Sequence, residues 1–318
     1  MKTEAKQLID YKVGDKFEGS LLVKNIEIKE ARNGTHYLAL ELSDKSSDVT
    51  GRKWDAVGNE LENFPAGTVV HVRGEIGEYN GVKQITANLI RPLPVNHPES
   101  DVNLYIKTAP LETKVMMDII KEKIDEIEDD IVKKIVRRIL NQHYKSFMTH
   151  AAAKSNHHAF SGGLAYHTVS MLKIAEHIVS FYPDVNKSLL YGGILIHDIG
   201  KTDELDDVVS GSGYTMKGQL LGHIALMDSE IVQTAIEEGI DPDHETVILL
   251  RHLVLSHHGK LEWGSPVLPQ TREAQALHHI DMLDARMNMT EGALEGVEAG
   301  DFSPKVWALG TPIYKETE

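Results

Sequence analysis

A chain of 318 residues, 41% hydrophobic and 25% charged, is long enough for two domains and has the composition of a globular protein. It contains no cysteine, which excludes disulfides and thiolate metal sites, so any metal must be held by His, Asp or Glu. Its net charge of −15 argues against a polyanionic partner, unless the charge is unevenly placed.

The charge is uneven. Residues 1–92 carry 13 Lys and Arg against 14 Asp and Glu, a net of −1, which leaves −14 for the remainder. Of the 17 histidines, 14 follow residue 140. The N-terminal "MKTEAKQLIDYKVGD" lacks a signal-peptide core, and no apolar run reaches the length of a membrane span. The expected setting is the reducing cytoplasm, with no membrane partner.

Residues 13–92 read as strands. In "THYLALELSD", Leu38, Leu40 and Leu42 alternate with Tyr37, Ala39 and Glu41, and later Val70, Val72 and Ile76 alternate with His71, Arg73 and Glu75. Asn80-Gly81 is a strong hairpin signal. Short strands broken by Gly, Asn and Asp predict an OB-like β-barrel over residues 1–92, although a small sandwich fits the same pattern. Three prolines in "RPLPVNHPES" mark a linker over 93–102.

Over 103–318 the period becomes helical. Met117, Ile120, Ile124, Ile127, Ile131, Ile135 and Ile139 recur at threes and fours, which predicts a long amphipathic helix with the acidic "KIDEIEDD" on its solvated face. Further helices are expected at 163–181, 187–198, 218–239, 243–257 and 271–289. The fold class is therefore multi-domain: an N-terminal all-β OB-like barrel followed by an all-α helical bundle.

Five of these helices each turn one ligand-type residue toward an apolar stripe. His167 shares a face with Leu164 and Met171, His197 follows Leu190 and Ile194, and His223 lies with Ile224 and Met227. His257 continues the line of Leu250 and Val254, and Asp281 sits with Ala274 and Leu277. A single histidine on an apolar face is usually a satisfied core residue. Five such positions on consecutive helices, one of them beside Asp198, ask for another account. A buried carboxylate is costly unless paired, and one divalent cation resolves that cost for Asp198 and Asp281 together. The pattern predicts a His/Asp metal centre.

The order His167, His197-Asp198, Asp281, with the stretches "HHAFSGGLAYHT" and "GGILIHDIGKTDEL", resembles the HD-domain metal-dependent phosphohydrolases. Within that superfamily it is similar to the YhaM type of 3′→5′ exoribonuclease, which joins an N-terminal OB-fold to a C-terminal HD domain. The likeness covers nearly the whole chain. It implies that His167, His197, Asp198 and Asp281 hold a first metal and that His223, His257 and His258 serve a second, with Asp198 bridging. His258, about 100° round the helix from His257, reads either as a ligand or as a substrate contact. The sulfur-free donor set suits Mn²⁺, Fe or Mg²⁺, as one or two ions, and the resemblance favours Mn²⁺.

The implied reaction is 3′→5′ hydrolysis of single-stranded RNA, with single-stranded DNA also open, to nucleoside monophosphates by a metal-activated hydroxide. Asp198 is then catalytic, and Lys201, past a helix cap at Gly200, neutralises a phosphate oxygen. His157, His158, Arg251 and Arg286 are further substrate-binding candidates, each with a structural alternative. In the barrel, Arg32, Tyr37, Arg52, Lys53, Trp54, Arg73, Tyr79 and Lys83 are candidates for binding nucleic acid through cations and aromatic platforms. Tyr37 and Trp54 also read as barrel core. With the catalytic half so acidic, a polyanion must be drawn in by the metals and the barrel, so binding is expected to be salt-sensitive. His143, His150, His177 and His244 read as surface or capping residues. The sequence leaves a homo-oligomer open.

Two other readings compete. One is an HD phosphodiesterase acting on a small or cyclic nucleotide, but "GKLEWGSPVLP" after His258 lacks the Gly-Tyr-Pro signature of the cyclic-dinucleotide members. The other is a non-catalytic nucleic-acid-binding protein whose metal only staples the helices. The surplus of His223 and His257 argues against stapling.

Overall fold

The computed structural model describes residues 6–31, 34–54, 64–79, 82–106, 108–152, 160–206 and 213–317. Arg32, His157, His158 and the Asn80-Gly81 turn lie outside the described residues.

Five strands follow the period-2 stretches: β1 (Lys16–Glu30), β2 (His36–Ser43), β3 (Asp48–Trp54), β4 (Val69–Tyr79) and β5 (Val82–Pro92). They close into a barrel in the order β1-β2-β3-β5-β4, with β3 and β5 parallel. Closure excludes the sandwich. The alternating leucines and valines, among them Leu38, Leu40, Val70 and Val72, fill the interior.

β1 pairs with both β2 and β4 and carries an irregularity between Val23 and Asn25. Before it the odd positions Phe17, Leu21 and Val23 are buried; after it the even positions Ile26 and Ile28 pack on the core. An extra residue in a strand exchanges its two faces. Asn25, Glu27 and Lys29 therefore point outward. Beyond the prolines, Tyr105 and Ile106 pack on Leu22 and Val69, and the division between the two compact units falls at Thr108/Ala109, later than the expected 102/103.

The helical unit contains α1 (Thr113–Asp125), α2 (Asp130–Thr149), α3 (Gly163–Phe181), α4 (Lys187–Ile196), α5 (Lys201–Glu204), α6 (Met216–Glu237), α7 (Glu245–Ser256) and α8 (Arg272–Leu294). The expected first long helix is two helices. Asp129 breaks it by capping α2, its Oδ1 accepting from the Ile131 and Val132 N–H groups at 2.9 Å each. Ile127 in the corner is fully buried, and buried Lys123 is held between Glu126 and Glu176. The acidic run is thus a capped corner between two helices, with Asp125, Glu128 and Asp130 exposed on it as expected.

Every residue of α4 from Ser188 to Ile196 is buried, which makes it the central helix, apolar all round. Its Leu190 and Ile194 lie in one core with Leu164, Met227, Leu250 and Leu277, so the stripes of α3, α6, α7 and α8 share that core. Among the described residues no helix is long and apolar enough to cross a membrane.

Candidate functional site

The apolar helix α4 runs out at His197, and the five neighbouring elements bring their polar residues to that end. His167 and His197 are fully buried, with His257 and Asp198 nearly so. Each histidine is tied through Nδ1. That of His197 donates to the Ile194 carbonyl at 2.9 Å, that of His257 to Val254 at 2.7 Å, and that of His258 to Trp263 at 2.7 Å. A carbonyl only accepts, so these rings carry the proton on Nδ1 and turn the Nε2 lone pair inward.

Two more histidines are tied by carboxylates. Asp284 Oδ2 lies 2.6 Å from His167 Nδ1, and Glu204 accepts from both Nδ1 of His223 (2.9 Å) and its backbone N–H (3.1 Å). Neither acid was singled out in the sequence. Asp284 does sit at i+3 from Asp281 on one helix face, a spacing that offers a clue; Glu204, on the short α5, gives none.

Asp198 stands between two sets of rings. Its Oδ2 is 3.3 Å from His197 Nε2 and 3.9 Å from His167 Nε2, while its Oδ1 is 3.5 Å from His223 Nε2 and 3.6 Å from His257 Nε2. Asp281 Oδ1 is 3.3 Å from His167 Nε2. The donor atoms of His167, His197 and Asp281 lie within 4.8 Å of one another, and so do those of His223, His257 and His258. Lys201 Nζ bonds Asp198 Oδ2 at 2.7 Å.

Two glycines permit this convergence. Gly222 interrupts α6 with φ 73° and ψ 154°, conformations in which a side chain is strained, and so re-aims the next residue, His223. A Cβ on Gly200 would collide with the His223 carbonyl. Gly200 has right-handed helical angles at the start of α5; it is a point of close approach, not the helix C-cap expected from sequence.

Electrostatics divides the groups. Burial opposes charge on His167, but hydrogen bonds to Asp281 and Asp284 outweigh it and raise its pKa to about 9. Burial pushes His257 and His223 down and, with neighbouring His257, brings His258 to about 4. For Asp198 burial acts upward, but the charge of Lys201 holds it well below the usual range. Inward lone pairs thus face an ionised carboxylate. Nε2 of His197, His223 and His257 and Oδ1 of Asp198 are buried with no hydrogen-bond partner among the described residues. Such orphaned acceptors are costly, and a nitrogen and oxygen donor set without sulfur fits a divalent cation.

The barrel carries a separate groove of about 360 Å³ on the outer face of β1, β2, β3 and β5 and the end of β4, lined in part by Tyr37, Arg52, Tyr79 and Gln84. The Tyr37 and Trp54 rings lie 5.1 Å apart. The Arg52 guanidinium is 4.6 Å from the centre of Tyr79 and 5.5 Å from that of Tyr37, a cation–π arrangement. Trp54 is 40% exposed, so it and Tyr37 belong to the outer surface and not to the core.

Residues 164–286 match the HD domain model and residues 22–93 the model of an OB-fold nucleic acid binding domain. A protein named 3′-5′ exoribonuclease YhaM from Bacillus pumilus is 42% identical over 98% of this chain and 99% of its own. The chain belongs to the YhaM family. Relatives of the same name from Bacillus subtilis and a Geobacillus species are each 41% identical, over 98% and 96% of this chain and 99% and 93% of theirs. The HD domain match implies divalent metal binding.

In this YhaM-family chain the structure brings all seven predicted ligand-type residues and Lys201 together, but not the outlying candidates. Arg251 is spent on Asp228, Nε to Oδ1 at 2.7 Å and Nη2 to Oδ2 at 3.1 Å. Arg286 is exposed on α8. Lys53 sits one position from Arg52 and Trp54 and so alternates away from their face. Arg73 pairs with Glu18, and Lys83 donates to the Ile9 carbonyl; neither lines the groove. His143 is not a surface residue but joins Thr202 and Glu230. His150 is buried on the Leu205 carbonyl, whereas His244 does cap α7.

Proposed function

We propose that the protein is a metal-dependent 3′→5′ exonuclease that hydrolyses single-stranded RNA to nucleoside monophosphates in the cytoplasm. The observation that carries this reading is the convergence of inward Nε2 atoms on the two oxygens of one buried carboxylate, Asp198. We assign His167, His197, Asp198 and Asp281 to one cation and His223, His257 and Asp198 to another, with His258 at the edge of the second set. The donors suit Mn²⁺, Fe or Mg²⁺, and the family resemblance favours manganese. Two such ions supply Lewis acidity toward the phosphate and an acidified water at neutral pH.

The chain's own residues do the rest. Asp284, Glu204 and three backbone carbonyls hold the imidazoles in one tautomer. Lys201, kept charged by Asp198, is a fixed cation for a non-bridging phosphate oxygen. The barrel takes the single strand by stacking on Tyr37 and Tyr79 in the groove and on Trp54 beside it. Membership of a family whose relatives carry the exoribonuclease name supports this reading over a cyclic-nucleotide phosphodiesterase or a metal-stapled binding protein.

The test offers the protein with Mn²⁺ an RNA with a free 3′ end, the same RNA blocked at its 3′ end, and cyclic dinucleotides. Stepwise shortening of the unblocked RNA alone is expected. Equal cleavage of both RNAs, or turnover of the small nucleotides only, refutes it.

A further inference from the structure

The helix that brings Asp281 to the first set of donors also reaches behind the second. His278 precedes Asp281 by three residues on α8, a spacing that puts both on one helix face. It is buried, and its Nδ1 lies 2.8 Å from the carbonyl oxygen of His257. A carbonyl only accepts, so His278 carries its proton on Nδ1 and donates.

That carbonyl stands where α7 has run out of its own partners. The helix ends at Ser256 with His257 as its C-cap, and the last carbonyls of a helix have no acceptor role within it. After His257 and His258, Gly259 turns the chain away with φ 75°. A Cβ on Gly259 would collide with the His278 ring, so the backbone of the turn lies against the imidazole. The Trp263 ring is centred 6.4 Å from the same imidazole, and the Trp263 carbonyl accepts from His258 Nδ1 at 2.7 Å.

The bond from His257 Nδ1 to Val254 orients the ring relative to α7 alone. Bringing Nε2 to Asp198 also requires the end of α7 to be fixed in place. A backbone shift of about 1 Å there is carried to the donor atom, enough to spoil a metal site.

We propose that His278 is a positioning residue for the second cation: through the His257 carbonyl and Gly259 it holds the end of α7 and so sets His257 and His258 relative to Asp198. This rests on the assignment of His223, His257 and Asp198 to a second cation. On this account α8 serves the first cation with a donor, Asp281, and the second with a brace.

Metal-free, full-length protein would be titrated with Mn²⁺ by calorimetry to resolve two binding events. Asp281→Asn and His223→Ala, each missing a donor of one set, assign the events to the sets. His278→Leu fills space beside the turn but cannot donate; it should weaken the second-set ion about tenfold or more and leave the first within about twofold. His278→Asn, whose amide nitrogen falls near the place of Nδ1, should return the second-set affinity to within about threefold of wild type. Gly259→Ala, which forces the turn off an intact imidazole, should weaken the same ion. Melting temperature is not the readout, because lost packing lowers it too.

Unchanged affinities in His278→Leu, equal weakening of both ions, or a His278→Asn no better than His278→Leu each overturns the proposal. If His278→Leu does not fold, Gly259→Ala decides: selective loss of the second ion supports the proposal and an unchanged second ion overturns it. A wild type that binds a single ion refutes the two-cation assignment and the proposal together. Two ions in the wild type without selective loss in the variants refute the proposal alone.

Discussion

Asp284 Oδ2 lies 2.6 Å from Nδ1 of His167, while the opposite nitrogen of the same ring faces Asp281 at 3.3 Å. A carboxylate behind an imidazole fixes the tautomer and strengthens the donor on its far side. Asp284→Asn keeps an accepting oxygen but removes the charge. It should weaken Mn²⁺ binding about tenfold or more with the fold retained, as read by calorimetric titration. Unchanged affinity would separate Asp284 from the metal centre.

Glu204 holds His223 twice, through ring and backbone. Glu204→Ala leaves both groups short of a partner and should cost about 1–3 kcal/mol of stability. It should also lower the number of Mn²⁺ ions bound per chain. If only the melting temperature falls, Glu204 is structural.

Asp198 and Lys201 form a buried ion pair at 2.7 Å. Asp198→Asn should abolish hydrolysis while the protein still folds. In metal-free protein it should also be destabilising by about 3–5 kcal/mol, because Lys201 loses its counter-charge. Adding Lys201→Met should recover much of that loss without recovering activity. A double-mutant cycle by chemical denaturation measures the coupling.

His143 bonds Glu230 at 2.8 Å and Thr202 at 2.9 Å. The Glu230 bond raises its pKa against the effect of burial. A raised folded-state value means that the stabilisation is complete below the unfolded value of about 6.5 and fades as pH climbs through the folded value. The stability difference between wild type and His143→Gln should thus be larger at pH 6 than at pH 9. A difference independent of pH would show that packing alone is lost.

Gly222 has φ 73°, where a Cβ is strained. Gly222→Ala should cost about 1–3 kcal/mol and move His223 away from Asp198. A lower melting temperature with reduced Mn²⁺ stoichiometry is expected. An unaltered stoichiometry would mean that α6 absorbs the change without moving the ring.

Much of this architecture is local. Alternation placed Leu38, Leu40, Val70 and Val72 inside the barrel, and the helical stripes placed His167, His223, His257 and Asp281 on core-facing sides, because each pattern depends only on the repeat of one element. Reading failed where two elements had to meet. Asp129 as a cap, Arg251 spent on Asp228 and His143 between Thr202 and Glu230 are contacts across the fold, and no period records them.

The site divides in the same way. By itself the sequence determined which side chains could serve as donors and on which helix faces they stand, since burial of an apolar stripe dictates orientation. Only the tertiary structure decided that Asp198 turns one oxygen to His197 and the other to His257, that Asp284 and Glu204 stand behind two of the rings, and that Asn25 and Glu41 stand side by side on neighbouring strands. Those relations depend on close approach and strand register, and it is packing between elements distant in the chain that sets them.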